Sequence, residues 1–266
     1  MEPKLAIVIG ELSEKMKKAL FRMCMNATIR DYTVCSKDLV GFLKLNDSSV
    51  NKDLQCAHIK NNYILIKGNI HTDLFLKEVI SLNKILSGGK LTHCAVFYNP
   101  STNQQFIMTD GACNIEINDD NREIAIKNAI ELYAKTHTVN ITTDQTGVNV
   151  SLLSAGGDHN KKTNESLYNW WSNNQYKYPD NTLRLEQLDV ALNEKIRQEK
   201  LIDGKVADII VVNNIGEGNA IWKSLTALNQ WECYGILMGS PLPIVLNSRG
   251  DNEESIKGSI KIAAKL

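Results

Sequence analysis

The sequence carries no surplus of charge: thirty lysine and arginine side chains are balanced by thirty aspartates and glutamates. A chain with no global field does not gather nucleic acid or an anionic membrane from a distance, so any anion it binds must be held by local groups. Cysteine pairs at C-x-x-C spacing are also missing, since Cys24, Cys35, Cys56, Cys94, Cys113 and Cys233 lie scattered. That removes the usual zinc pattern, and no metal site is expected. Nor does any apolar run approach the roughly 20 residues a membrane helix needs. The opening stretch MEPKLAIVIGELSEK lacks the long uncharged segment of a secretory signal. These absences point to a cytoplasmic protein with reduced thiols. In that compartment the Asn-x-Ser/Thr triplets at Asn26 and Asn164 carry no sugar. The tripeptide Arg249-Gly250-Asp251, an adhesion signal in extracellular proteins, calls for another explanation. Internal repeats and low-complexity linkers are absent as well.

What is present is ample material for a core, with 43% hydrophobic and 23% charged residues over 266 positions. Short apolar runs alternate with stretches of helical period. LAIVIG reads as a strand, and Leu12, Met16, Ala19 and Leu20 give the following ELSEKMKKALFRM one apolar face. NYILIKG leads into NIHTDLFLKEVISLNKIL, a helix whose inward face is expected at Leu76, Val79, Ile80 and Ile85, stopped by Gly88-Gly89. THCAVFY and QQFIMTD, joined by NPSTN, form a hairpin rather than a crossover. A helix is expected over NREIAIKNAIELYAKT, then a buried strand in VNVSLLSAGG. One further helix is expected in the polar region between Asp158 and Leu183. Helical spacing returns in LRLEQLDVALNEKIRQEKL. ADIIVVNN reads as a strand covered on both faces, AIWKSLTALNQW as a helix and YGILMG as a strand. PIVLN then precedes a closing helix with Asp251 and Glu254 at capping-box spacing. Such alternation implies a parallel α/β sheet, with the hairpin marking a second module.

Open α/β sheets bind ligands beyond the carboxyl ends of their strands. Four loops meet that criterion: KGNIHT from Lys67, TDGACN from Thr109, NNIGEGN from Asn213 and NSRGDN from Asn247. Arg249 offers a planar fork matched to phosphate or carboxylate, Ser248 adds a hydroxyl, and the start of the last helix adds backbone amides. Against that stand Asp251, Glu253 and Glu254, which would repel a phosphate unless turned away. An ordinary ion pair between Arg249 and one of them is the plainer reading. Gly216 and Gly218 would permit close backbone approach to a ligand, or simply make a turn. Lys67, Thr72 and Lys77 form a basic, hydroxyl-bearing patch, for which a solvated helix face is the default. His71 and His93 could act as acid or base but lack an evident carboxylate partner. Trp170-Trp171 reads as core or interface, with no basic interleaving for stacking on bases. No G-x-G-x-x-G fingerprint and no carboxylate cluster for Mg²⁺ is found, which disfavours a nicotinamide-dependent dehydrogenase.

Taken in order, these loops resemble the phosphate acetyltransferase and phosphate butyryltransferase family. GKVADIIVVNNIGEGNAIWKSL with YGILMGSPLPIVLNSRGDNEESI is similar to its C-terminal blocks. LIKGNIHTDLFLKEVI is similar to its M-K-G block, and KLTHCAVFYN with FIMTDGACNI to its S-H-x-A-V-F and T-D-x-x-x-N blocks. The resemblance runs from about Tyr63 onward and is stronger to the butyryl branch. It implies two three-layer α/β domains with a cleft between them, in the architecture of isocitrate and isopropylmalate dehydrogenases. Residues 1–87 with 244–266 would form the first domain, with a shortened N-terminus. Residues 88–243 would form the second, with a dimerising hairpin arm. The implied reaction is reversible transfer of a short-chain acyl group between coenzyme A and inorganic phosphate. Acyl-CoA, phosphate and acyl phosphate are then the ligands, with no tightly bound cofactor, no nucleic acid and no membrane, and a homodimer or larger assembly is implied.

Carried across residue by residue, the resemblance makes Arg249 the phosphate grip and Ser248 an aid to the attacking thiol. Thr72, Lys77, Gly218 and Asn219 become substrate-binding. Lys77 replaces the family's usual arginine and loses its fork. Asp251 is the candidate base, because Ser255 stands where acetyl-type relatives carry an acid. Glu186 stands at the place of another family Asp, and the turn Asn213–Asn219 lacks the family's proline and acids. A non-catalytic member that binds acyl-CoA or another anion is the alternative implied by these departures.

Overall fold

A computed structural model describes residues 3–36, 38–46, 61–115, 117–136, 148–154, 165–178, 182–202 and 205–266. Cys56, Asn164 and the glycines of SAGG fall outside them. Two compact units emerge, one of Met1–His93 with Glu232–Leu266 and one of Cys94–Trp231.

In the first unit, β1 (Lys4–Ile9) lies between β2 (Ile29–Cys35) and β3 (Tyr63–Lys67), parallel to both. β10 (Ile244–Val245) continues parallel beside β3, and β9 (Glu232–Met238) pairs antiparallel with β10. β3 is buried at every residue, as a strand covered on both faces must be. Helix α1 (Glu14–Met25) starts at Ser13, whose hydroxyl accepts from the Met16 amide at 3.3 Å, and buries Met16, Ala19, Leu20 and Met23. The closing helix α9 (Glu253–Lys265) packs on α1 and on β9, through Ile256, Ile260 and Ala263 among others. Helix α3 (Thr72–Ile85) packs against α2 (Leu39–Asn46).

The apolar face of α3 is turned from the expected one. Phe75, Val79 and Leu82, spaced i, i+4, i+7, are buried, whereas Ile80 and Ile85 are exposed at 41% and 48%. Strand β9 groups with the first unit, although the sequence placed it with the second. Two backbone pairings to β10 tie it there.

In the second unit, β4 (Thr92–Asn99), which begins at the boundary, and β5 (Gln104–Thr109) make the anticipated antiparallel hairpin. Next to β5 come β8 (Ile209–Val211), β6 (Val150–Leu153) and β7 (Leu183–Glu186), all parallel. The helices here are α4 (Asp119–Thr136), α5 (Glu165–Asn174), α6 (Leu188–Leu192), α7 (Glu194–Glu199) and α8 (Ile215–Lys223). LRLE is thus a strand, not the start of a helix. Helix begins only at Leu188 and is interrupted at Asn193, whose side chain caps α7 by accepting from the amides of Lys195 and Ile196.

Glu186 explains why that short strand holds. Its Oε1 receives Nη1 of fully buried Arg197 at 2.6 Å, and its Oε2 receives the Ser151 hydroxyl at 2.7 Å. A buried carboxylate so paired ties β6, β7 and α7 into one layer. Trp170 is buried in α5, with the Arg122 guanidinium 5.1 Å from its ring centroid, and the Trp171 indole donates to the Leu183 carbonyl at 2.9 Å. Both tryptophans therefore serve packing.

Candidate active site

Parallel strands β1, β3 and β10 end on one edge, where each hands the chain to a loop. Gly10 adopts φ +100° and donates to the Cys35 carbonyl, and the amides of Gly68 and Asn69 donate to the carbonyls of Ile9 and Glu11 at 2.9 and 2.7 Å. A Cβ on Gly68 would stand 2.7 Å from the Glu11 oxygen, so only glycine lets these loops meet. Beyond β10 the chain runs Asn247-Ser248-Arg249-Gly250-Asp251. Asp251 folds back so that its Oδ2 accepts from Asn247 Nδ2 at 3.0 Å and from the Ser248 amide at 2.8 Å. Its own amide donates to the Ser248 carbonyl, and the Gly250 amide to Ser248 Oγ. Asn252 then caps α9, accepting from the Ser255 amide at 2.8 Å.

A pocket opens where these loops meet, lined by Ser13, Met16, Lys67, Gly68, Asn69, Asn247, Ser248, Arg249, Asp251 and Ile256. The structure thus unites Ser248, Arg249 and Asp251 with Lys67, and adds Ser13. Ser13 was overlooked in the sequence, where the signal is a serine opening a helix directly after a strand. Arg249 forms no ion pair among the described residues. The acids once expected to claim it are engaged elsewhere: Glu253 with Arg22 at 3.1 Å, and Glu254 with Lys257 at 2.5 Å. Both acidic side chains are therefore occupied by cations other than Arg249.

Lys67 is not a solvated lysine: it is 2% exposed, and among the described residues its Nζ makes one long contact, 3.4 Å, to the Gly68 carbonyl. Burial, then the nearby Arg249 charge, lower its pKa, with Asp251 partly offsetting them. Thr72 and Lys77 are exposed on the first turns of α3 and do not line the pocket. The N-cap of that helix, His71, contributes no capping hydrogen bond. His93 is fully buried, and burial pushes its pKa down to about 4, so it is a neutral structural residue at physiological pH.

In the second unit the NNIGEGN turn is built from its own side chains. Asn214 caps α8 by accepting from the Glu217 amide at 2.9 Å, and Glu217 accepts from the Asn213 amide at 2.6 Å. Gly218 is needed for the hairpin end, because a Cβ there would stand 2.6 Å from Gly111 Cα. Its close approach is to protein backbone. Asn219 is exposed on α8. Asp110 is buried and closes its own turn, accepting from the Cys113 amide at 2.9 Å and from the Asn114 side chain. Among the described residues no cluster of three or more His, Cys, Asp or Glu is placed to hold a metal. No helix among them is long and apolar enough to cross a membrane.

Comparison with known proteins shows the family and the fold. The family described as "Phosphate acetyl/butaryl transferase" matches residues 57–264. A probable phosphate butyryltransferase of Bacillus subtilis is 28% identical over 224 residues, covering 82% of this chain and 73% of that one. The phosphate butyryltransferase of Clostridium acetobutylicum is 28% identical over 208 residues, covering 76% and 67%. Among solved structures, a branched-chain phosphotransacylase from Enterococcus faecalis superposes with TM-score 0.73 over 98% of both chains at 24% identity. Isocitrate dehydrogenase from Methylococcus capsulatus does so with TM-score 0.56 at 12% identity, over 98% of this chain and 87% of that one, so the chain has the α/β fold expected of it. The chain belongs to the phosphate acetyl/butyryl transferase family.

Proposed function

We propose that this family member transfers a short-chain acyl group between coenzyme A and inorganic phosphate, at the pocket around Ser248 and Arg249. The observation that carries the reading is Arg249, unclaimed by any carboxylate among the described residues, at the rim of a pocket that also holds buried Lys67. In one direction the coenzyme sulfur attacks the acyl phosphate carbonyl carbon. The C–S bond forms, the C–O bond to phosphate breaks, and the thiol proton is balanced by the hydrogen phosphate released. The reverse reaction makes acyl phosphate and free thiol from acyl-CoA and phosphate.

Each step asks for a specific group. Departing phosphate gains negative charge, which the Arg249 fork neutralises through paired hydrogen bonds. The Ser248 hydroxyl lies next to it in the same loop and is assigned to the incoming thiol, fixing its approach. Asp251, with Oδ2 engaged by two N–H groups, acts by holding Ser248 and Asn247 in place. That is its assigned part in preference to taking the thiol proton. Thr72 and Lys77 on α3, and Asn219 on α8, are assigned to substrate contacts on the strength of the family blocks, while Gly218 serves the turn. Coenzyme A is a substrate in this scheme. Association into a homodimer or larger homo-oligomer belongs to the same reading and is checked by light scattering.

The test is direct. Butyryl-, propionyl- and acetyl-CoA are each mixed with phosphate and the protein, and free thiol is followed with a chromogenic disulfide. Phosphate-dependent thiol release, with acyl phosphate trapped by hydroxylamine, is expected. Absence of release with all three substrates overturns the reading.

A further inference from the structure

Building on the acyl-transfer reading above, we propose that Lys67 is a second cationic anchor of the pocket, binding the transferred phosphoryl group together with Arg249, with the Ser13 hydroxyl as an added donor. Lysine is seldom buried without a carboxylate. Among the described residues Lys67 has none within ion-pair distance, and only the Gly68 carbonyl at 3.4 Å touches its ammonium. An ammonium has three N–H donors, so at least two are left for a ligand. The neighbouring Arg249 guanidinium makes the unliganded arrangement less favourable still, Asp251 in the same pocket offsets it only in part, and a dianion bound beside both cations would relieve the rest.

The anchor is also held still. Lys67 is the last residue of β3, in register with Ile9, and the next amides are fixed to the carbonyls of Ile9 and Glu11. A rigid cation beside the exposed fork of Arg249 places phosphoryl oxygens before reaction, where orientation lowers the barrier. Ser13 stands at the start of twelve-residue α1, whose amide ends favour negative charge.

Phosphoryl oxygens could come from inorganic phosphate or from the phosphates of coenzyme A, and steady-state kinetics separate them. For Lys67→Met the KM for phosphate is expected to rise by about tenfold or more, with the KM for butyryl-CoA changed less than about twofold. Lys67→Arg, which restores the charge, should recover most of the loss. A rise in the coenzyme KM alone would assign the cation to coenzyme A, and unchanged KM values for both would make Lys67 a packing residue; either result overturns the proposal. Should Lys67→Met fail to fold, the wild-type protein with ¹⁵N-lysine decides, its Lys67 Nζ signal being identified by its loss in Lys67→Arg. That signal must shift on adding inorganic phosphate alone, and a static signal refutes the anchor. Loss of turnover in the wild type itself would reject the acyl-transfer reading, while the phosphate titration still reports on Lys67.

Discussion

His93 offers the sharpest physical test, because its burial is complete and its charge state is thereby set. It stands near the start of β4 with no exposure, beside Gly235 of β9, where an added Cβ would come within 3.1 Å of His93 Nε2. Burial holds its pKa at about 4, against 6.5 for an ordinary histidine. Below pH 6.5 the unfolded chain takes up a proton at this site that the folded chain refuses until about pH 4. Stability from this residue is therefore fully present above pH 6.5 and is lost as pH falls toward 4. At about 1.4 kcal/mol per pH unit the loss reaches about 2 kcal/mol at pH 5 and about 3 kcal/mol by pH 4. Urea denaturation followed by far-ultraviolet circular dichroism, for wild type and His93→Gln between pH 7.5 and 4, isolates the effect as the difference between the two curves. The wild type should weaken by the stated amounts relative to the glutamine variant. Parallel curves, or an imidazole NMR signal from His93 that titrates near 6.5, would refute the account.

Other expectations follow from the packing. Gly218→Ala should destabilise by about 1–3 kcal/mol through the clash with Gly111, read by thermal melting; a neutral result would mean the hairpin end gives way freely. Glu186→Ala, which removes the carboxylate from buried Arg197 and from the Ser151 hydroxyl, should cost about 3–5 kcal/mol, measured by chemical denaturation, and a loss under about 1 kcal/mol would dismiss the buried pair as structurally important. Arg249→Lys keeps the charge and loses the fork, so kcat/KM should fall on the order of a hundredfold, and wild-type kinetics would remove Arg249 from the site. Asp251→Ala should lower kcat more than stability, since it frees the Ser248 amide; unchanged turnover would dismiss its positioning role.

Much of this was legible beforehand wherever one physical signal dominated. The hairpin Thr92–Thr109 announced itself by two apolar runs around a turn, and α1 by the spacing of Met16, Ala19 and Leu20. Where signals competed, the local pattern misled. α3 carries apolar residues nearly all round, so its buried stripe at Phe75, Val79 and Leu82 was decided by what packs on it. LRLE looked helical because Glu186 gave no sign of the partner that accommodates it: Arg197, eleven positions on. In the site, Ser248 and Arg249 stood out by residue type and position. The state of Lys67 did not, because a lysine is judged by its surroundings, and those come from β1, β10 and the loop at Ser248.

The first unit is made from two stretches of chain separated by the whole of the second. Its β3 has one lateral neighbour in β1, while the other side is completed only by β10, far downstream. A ribosome therefore releases the early half long before the strand that seals it is synthesised, and the raw edge of β3 must wait, open to wrong partners. Synthesis order thus binds the birth of the Arg249 loop to the final act of closing the sheet.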